Sequence, residues 1–299
     1  MDTTWLEDFV AANREGSFSR AAEERAISQP AFSRRIRCLE EWVGAPLFDR
    51  SARTVQLTPA GERLKPFAEE ILRQLETGRK DALSATQATS EKLFFAATHS
   101  LSLTFFPPWL GTLEREEPLM STIQLTADSM QGCERLMIAG QAQFLLCHHH
   151  RAASSLLSAD RFKSVMLGED VLVPVAAPTL AGDPLSKGPF LAYAESSGMG
   201  RILRAAWEEK GQAPLPEAVF TSHMASVLVM MARDGRGVAW SPLSLVQEDL
   251  QSGRLVKLGQ ASDEVRMEIH LFRPRVRQLR AAERFWERAL ERAAQAPRN

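Results

Sequence analysis

The apolar positions near the start of this chain repeat with the period of a helix. Phe32, Ile36, Leu39 and Val43 are spaced four, three and four apart, which marks one face of a 3.6-residue helix that must be buried. On the other side Ser33, Arg34 and Arg37 come together, with Ser28 placed to cap the first turn and Pro30 tolerated where early helical N–H groups have no partner. A shorter helix before it carries Ala21 and Ala22, small enough for two helices to cross closely. Phe18 to Val43 therefore reads as two helices and a tight turn, the second helix presenting a short, polar, positive face. Such a face suits the DNA major groove, where Gln and Arg pair with base edges and Ser and Arg hold phosphates. Periodicity alone fits a solvated amphipathic hairpin at least as well.

Beyond this hairpin the period persists, then changes. Thr58-Pro59 is a helix start, a capping hydroxyl followed by proline in the first turn. Leu64, Phe67, Ile71 and Leu75 form a stripe on a helix running to about Ala88, and a lone helix of about 30 residues would be about 45 Å long. Its seam wants a partner, either its own domain or a second subunit. Leu83 to Glu91, rich in Ser, Thr and Ala, reads as a hinge. From Lys92 strand and helix signals alternate: KLFFAATHS, TIQLTADS, FLLCH, VMLGEDVLVPVAA, PFLAYAES, EAVFTSH, GVAWSP, LVKLG and MEIHLF as strands. Helices are expected from Leu101 to Glu117 and over GCERLMIAGQ, GRILRAAWEEKG, MASVLVMMARDG and the closing AAERFWERALERAA. The rhythm predicts an α/β domain with a mainly parallel sheet.

FSRAAEE, SQPAFSRRIRCLE, GAPLFDR and LTPAG stand in this order and spacing between Leu6 and Gly61. That run resembles the winged helix-turn-helix of the LysR-type transcriptional regulators over nearly its whole length. The resemblance implies that Ser28, Gln29, Pro30, Ser33, Arg34 and Arg37 belong to a recognition helix and that Arg50 and Arg53 sit on a wing, meeting phosphate or the minor groove. It implies a DNA-binding domain over 1–58, a linker and dimerisation helix with its hinge over 59–91, and an effector-binding domain over 92–299. The last resembles periplasmic binding proteins, with one lobe of about 92–163 and 267–299 and another of about 164–266, the chain crossing near 162–168 and 262–268. The implied partners are promoter DNA, a small-molecule effector, RNA polymerase and further copies of the chain in a homodimer or homotetramer.

In open α/β lobes ligands sit at the carboxyl ends of strands, where helix N-termini offer free N–H groups to anions. The first strand ends at Thr98, Ser100, Leu101 and Ser102, where the resemblance implies that an effector carboxylate is held. FLLCHHHR brings Cys147 and His148; Gln143 stands before it where the family often has an acid. SSGMGR and TSHMAS bring Met199 and Met224 to strand-to-helix junctions, and GRGVAWSP supplies a last wall through Trp240, Ser241 and Pro242. An organic acid or amino acid is the commoner effector in the family and the preferred reading here. The segments around Thr98, Met199 and Met224 also resemble the hypochlorite-responsive branch, in which oxidation of methionine to sulfoxide would turn an apolar side chain polar.

Composition narrows the alternatives. In 299 residues, 44% hydrophobic and 24% charged residues are those of a soluble globular protein of two or three small domains. The net charge is −1, so nothing global advertises nucleic acid. Within 1–58 eight arginines face nine acids, and the DNA reading rests on where the arginines stand. Three cysteines, Cys38, Cys133 and Cys147, make no paired framework, which together with the lack of a signal peptide or spanning segment predicts a cytoplasmic protein. No nucleophile elbow, phosphate loop or paired carboxylates suggest an enzyme, and no cofactor is expected. Side chains of the consecutive His148, His149 and His150 diverge, so at most two could share an ion, and no ligand pattern accompanies them. A two-lobed binding protein or enzyme whose N-terminal helices serve only assembly is the rival from another class.

Overall fold

The computed structural model describes residues 2–49, 55–84, 92–116, 118–119, 121–181, 188–211 and 217–295, in two compact units, Met1–Ala88 and Thr89–Asn299. Arg50 and Arg53, and most of the expected hinge, lie outside the described residues.

The first unit packs α1 (Thr3–Glu15), α2 (Phe18–Glu24) and α3 (Gln29–Val43) beside a small ribbon, β1 (Phe48–Asp49) with β2 (Gln56–Leu57), and α4 (Pro59–Ser84). Phe9, Phe32, Ile36 and Leu39 are fully buried, so the predicted stripe of α3 is the inner face. Phe18 braces the ribbon, its ring 5.2 Å from Phe48 edge-on. Asp8 of α1, wholly buried, accepts a hydrogen bond from Arg25 Nε at 2.9 Å and pairs with Arg35 of α3 at 3.4 Å, joining α1, the turn and α3 through one carboxylate. Ser28 is the N-cap of α3, but its side chain makes no capping bond. Pro30 has removed one N–H that such a cap would bind, and Ser28 remains exposed.

Thr58 does cap α4, its Oγ1 accepting from Gly61 N at 3.1 Å while donating to Pro46 O at 2.7 Å. The stripe of α4 divides. Leu64, Ala68 and Leu72 pack on the unit's own core, whereas Phe67, Ile71 and Leu75 are 67, 40 and 51% exposed. Leu64 thus belongs to the inner face and not to the open seam.

The second unit runs β3 (Lys92–Thr98), α5 (His99–Thr104), α6 (Phe106–Glu116), β4 (Thr122–Asp128), α7 (Met130–Ile138), β5 (Phe144–His149), then the long β6 (Phe162–Ala176). There follow β7 (Phe190–Tyr193), α8 (Gly198–Glu209), β8 (Ala218–Ser222), α9 (Ala225–Arg233), β9 (Val238–Pro242), α10 (Leu243–Gln251), β10 (Val256–Lys257), β11 (Val265–Pro274) and α11 (Arg280–Gln295). The sheet order is β4-β3-β5-β11-β6-β9-β7-β8, with β10 on β6. Pairing is parallel within each lobe, β3 with β4 and β5, and β7 with β8 and β9. It is antiparallel wherever β6 or β11 takes part, so the sheet is mixed rather than mainly parallel.

β6 and β11 carry the chain between two separate cores. Leu167 still packs with the first lobe and Val171 with the second; on the return Met267 belongs to the second and Ile269 to the first. The first core centres on Phe95, Phe144 and Phe285, with ring centroids 5.0 to 5.1 Å apart; the second centres on Trp240, flanked by Phe190 and Trp207. The expected single helix after β3 is two, α5 and α6, parted at Phe105. Helix α10 carries no clear signal in the sequence. Its buried face holds Val246 and an acid, Asp249, which accepts hydrogen bonds from Arg233 and Arg254, and the acid breaks the apolar period. Gln143 accepts a hydrogen bond from Phe94 N through Oε1 at 2.9 Å and so ties β3 to the start of β5. No helix among the described residues is long and apolar enough to cross a membrane.

A Cβ at Gly61 would lie 2.3 Å from the Leu47 carbonyl oxygen, so α4 can approach the ribbon only there without a side chain. Gly61→Ala is expected to destabilise the first unit by about 1–3 kcal/mol. Gly78→Ala, farther along the same helix with nothing within 4 Å, should instead stabilise it by about 0.5–1 kcal/mol. Denaturant titration followed by circular dichroism measures both.

Candidate functional site

Strand ends of the two lobes face each other across a cleft, each continuing into a helix. From the first lobe come Thr98, His99 and Ser100 at the start of α5, Asp128, Ser129 and Met130 at the start of α7, and His148 at the end of β5. The second lobe contributes Ser197, Gly198 and Met199 at the start of α8, with His223 and Ala225 at the start of α9. Ser129 and Ser197 cap their helices, accepting from Gly132 N at 3.1 Å and Gly200 N at 3.5 Å. The N-termini of α7, α8 and α9 therefore direct their partial positive charge at one place. No Lys or Arg is among the described residues lining it.

The cleft is nearly shut, a cavity of about 30 Å³, enough for a water or two and too small for an amino acid. Three of the contacts between the lobes stand at this cleft. A Cβ on Gly198 would stand 2.8 Å from Met130 Cβ, so the helix starts touch because one residue has no side chain. The rings of His99 and His223 lie 5.6 Å apart. Deeper, Glu134 of α7, with no exposed surface, accepts hydrogen bonds from both terminal nitrogens of Arg201 of α8, Oε2 from Nη2 at 2.9 Å and Oε1 from Nη1 at 3.4 Å. Ser155 Oγ and Leu156 N also donate to Oε1, so the buried carboxylate is fully engaged.

Behind the cavity lies a second polar node where β6 changes lobe. His148 Nε2 and Asp170 Oδ2 are 3.1 Å apart, and Asp170 also accepts from Ser244 Oγ at 2.6 Å and Val171 N at 2.8 Å. Burial pushes the Asp170 carboxyl up, but the bonds from His148, Ser244 and Val171 outweigh it and hold the group below the usual range. His99 is also held below its ordinary value, first by burial and then by His223, with Asp128 opposing, and is neutral at pH 7. Thr98 Oγ1 and His148 Nδ1 are buried without a hydrogen-bond partner, and both residues line the cavity.

Of the expected effector residues, Thr98, Ser100, His148 and Met199 come together at the cavity. Leu101 is buried in the first lobe's core, and Ser102 Oγ turns back to donate to His99 O. Met224 is the N-cap of α9 beside the cavity and not in its wall. Trp240 is a core side chain whose Nε1 donates to Asp263 O, and Ser241 is fully buried. Cys147 packs in the core of the first lobe, where burial pushes its thiol far up and makes it a poor nucleophile. His99, Asp128, Ser129, Met130, Gly198 and His223 also form the wall; the strand-to-helix junction TADSM was the signal available for three of them.

On the first unit, Ser28, Gln29, Pro30, Arg34 and Arg37 are exposed along one side of α3, with Ser33 half-buried. Arg35 between them is committed to Asp8.

Residues 3–62 match the family model "Bacterial regulatory helix-turn-helix protein, lysR family", and residues 86–294 match "LysR substrate binding domain". The chain is 31% identical over 296 residues to the HTH-type transcriptional regulator YjiE of Escherichia coli strain K12, covering 97% of this chain and 95% of that protein. The full-length structure of HypT from Salmonella typhimurium, a hypochlorite-specific LysR-type transcriptional regulator, is 30% identical with a TM-score of 0.57, covering 99% of this chain and all of that one (100%). Its bromide-bound regulatory domain is 27% identical with a TM-score of 0.57, covering 70% of this chain and 98% of that one.

Arg201→Ala would leave Glu134 charged and buried without its counterion and should cost about 3 kcal/mol, read by thermal unfolding; Glu134→Gln combined with Arg201→Met should recover most of it. Because the folded value of Asp170 is depressed, its contribution is present above the ordinary carboxyl range and lost as pH falls through the folded value. Asp170→Asn should therefore be less stable than the parent protein at pH 7, and the gap should narrow as the solution is acidified towards pH 3, a comparison made by urea unfolding across pH.

Proposed function

We propose, from the premise that this chain belongs to the LysR family of bacterial transcriptional regulators, that its DNA binding answers to a small oxidant of the hypohalous acid class reaching the methionines of the cleft. The protein is a DNA-binding regulator with an effector domain, not an enzyme. The observation that carries the proposal is Met199, 7% exposed, standing with Met130 in the wall of a cavity of about 30 Å³. An organic acid or amino acid, the preference from sequence alone, would need the lobes to part and would find no Lys or Arg among the described lining residues. A hypohalous acid needs neither.

In the proposed step the oxygen of hypochlorous acid is transferred to Met199 Sδ. The O–Cl bond breaks, sulfur is oxidised by two electrons to the sulfoxide, and chloride and a proton leave. The helix N-termini of α7 and α8 suit the released anion, in keeping with the bromide-bound domain of HypT. A sulfoxide dipole at Met199, beside the tight Met130–Gly198 contact, disfavours the closed arrangement and shifts the population of lobe states.

The DNA-binding part of the proposal puts Ser28, Gln29, Pro30, Ser33, Arg34 and Arg37 in the major groove, and Arg50 and Arg53 on phosphate or in the minor groove. The exposed Phe67, Ile71 and Leu75 of α4 support pairing with a second copy. A dimer, or a tetramer built from it, brings two recognition helices to two half-sites, and a change in their arrangement alters access for RNA polymerase.

Oxidation of the full-length protein by hypochlorous acid should place sulfoxide at Met199, seen by peptide mass spectrometry, and change operator affinity. Met199→Leu, of similar volume, should bind DNA as before and lose the response. A response that survives replacement of Met199, Met130 and Met224 together, or a shift produced by a small carboxylate instead, contradicts the oxidant reading. Separately, Arg34→Ala should weaken operator binding by about 1–3 kcal/mol with little change on unrelated DNA, measured by fluorescence anisotropy.

A further inference from the structure

Side chains at one end of the crossing strands form a group that the cleft does not use. His149 of β5 stands directly across from Glu268 of β11, and His270 follows two residues later on the same face. His270 Nε2 is 2.7 Å from Glu268 Oε2, and His149 Nδ1 is 3.6 Å from the same oxygen, too long for a hydrogen bond. The two imidazole rings lie 4.6 Å apart, and one ligand atom from each of the three residues falls within a 4.8 Å spread. His149 Nδ1 is buried without a hydrogen-bond partner, an arrangement that buried polar atoms avoid unless something else meets them.

We propose that His149, Glu268 and His270 form a binding site for a divalent transition-metal ion of the zinc class. Two imidazole nitrogens and one carboxylate oxygen suit zinc and its neighbours, whereas magnesium and calcium take oxygen ligands. Ligand bonds of about 2.0–2.2 Å require donor atoms roughly as far apart as these, so small side-chain rotations close the site. Ser164 Oγ lies 3.0 Å from His270 Nδ1 and fixes that ring with Nε2 towards the shared point, the arrangement that metal-ligating histidines use. Glu169, directly across from Glu268 on β6 and exposed, places a second carboxylate next to the group.

The sequence hid this group because only His149 belongs to the run of three histidines; its partners come from a strand more than a hundred residues later. His148 Nε2 is engaged with Asp170 and His150 Nδ1 accepts from Ala152 N, and neither residue is among the three grouped donors.

Zinc chloride titrated into chelator-treated full-length protein, followed by calorimetry, should show a site of one ion per chain. His149→Asn and His270→Asn should each weaken it by about tenfold or more, while His150→Asn leaves it unchanged. Glu268→Gln alters an exposed side chain and keeps the test valid if a histidine variant fails to fold; it too should weaken binding. The proposal is overturned if the parent protein takes up no zinc at this stoichiometry, or if Glu268→Gln and the histidine variants bind as the parent does.

Discussion

Of the contacts that hold the cleft closed, the buried ion pair between Glu134 and Arg201 is the most demanding. The carboxylate has no exposed surface, so it is stable there only while the guanidinium and the two donors at Ser155 and Leu156 stay in place. Opening the lobes separates α7 from α8 and exposes or strands that charge. The Met130–Gly198 contact and the rings of His99 and His223 line the same cavity and would change with it. A pair like this makes two discrete arrangements easier to hold than a continuum, which is what a regulatory domain requires.

The crossing strands offer a route by which the proposed change at Met199 would reach both lobes. Asp170 sits where β6 passes from one core to the other, tied to His148 of the first lobe and Ser244 of α10. The cavity wall and the crossing point thus share His148. In the first unit the corresponding constraint is Asp8, which fixes α1 to α3 through Arg25 and Arg35 and leaves Arg34 and Arg37 on the outer face. Arginine neighbours in one helix have opposite duties because a step of one residue turns the side chain by about 100°.

What was legible in the sequence was local. The stripe of α3, the cap at Thr58 and the closing helix each depend on residues within a few turns, and the structure has them. Thr98, Ser100, His148 and Met199 could be found because the ends of parallel strands face a cleft in this architecture. Their partners were harder to see. Glu134 and Arg201 are 67 residues apart in the chain, and nothing near either one announces a buried charge. Trp240, Ser241 and Leu101 follow the same strand-end logic yet are buried in the cores, because β9 is covered on both faces and Leu101 lies on the inner side of α5. The stripe of α4 has the spacing of one seam, yet Leu64 packs inward and Phe67, Ile71 and Leu75 outward; the helix has two apolar faces, and spacing cannot separate them.

The central claim is that chemistry at Met199 is converted into parting of the lobes at α7 and α8. Hydrogen exchange of the full-length protein, measured at the amides of these two helices before and after oxidation by hypochlorous acid, tests it directly. The account predicts faster exchange at the starts of both helices after oxidation, with no such change in Met199→Leu. Unchanged exchange there in a protein whose Met199 has been converted to sulfoxide would contradict it.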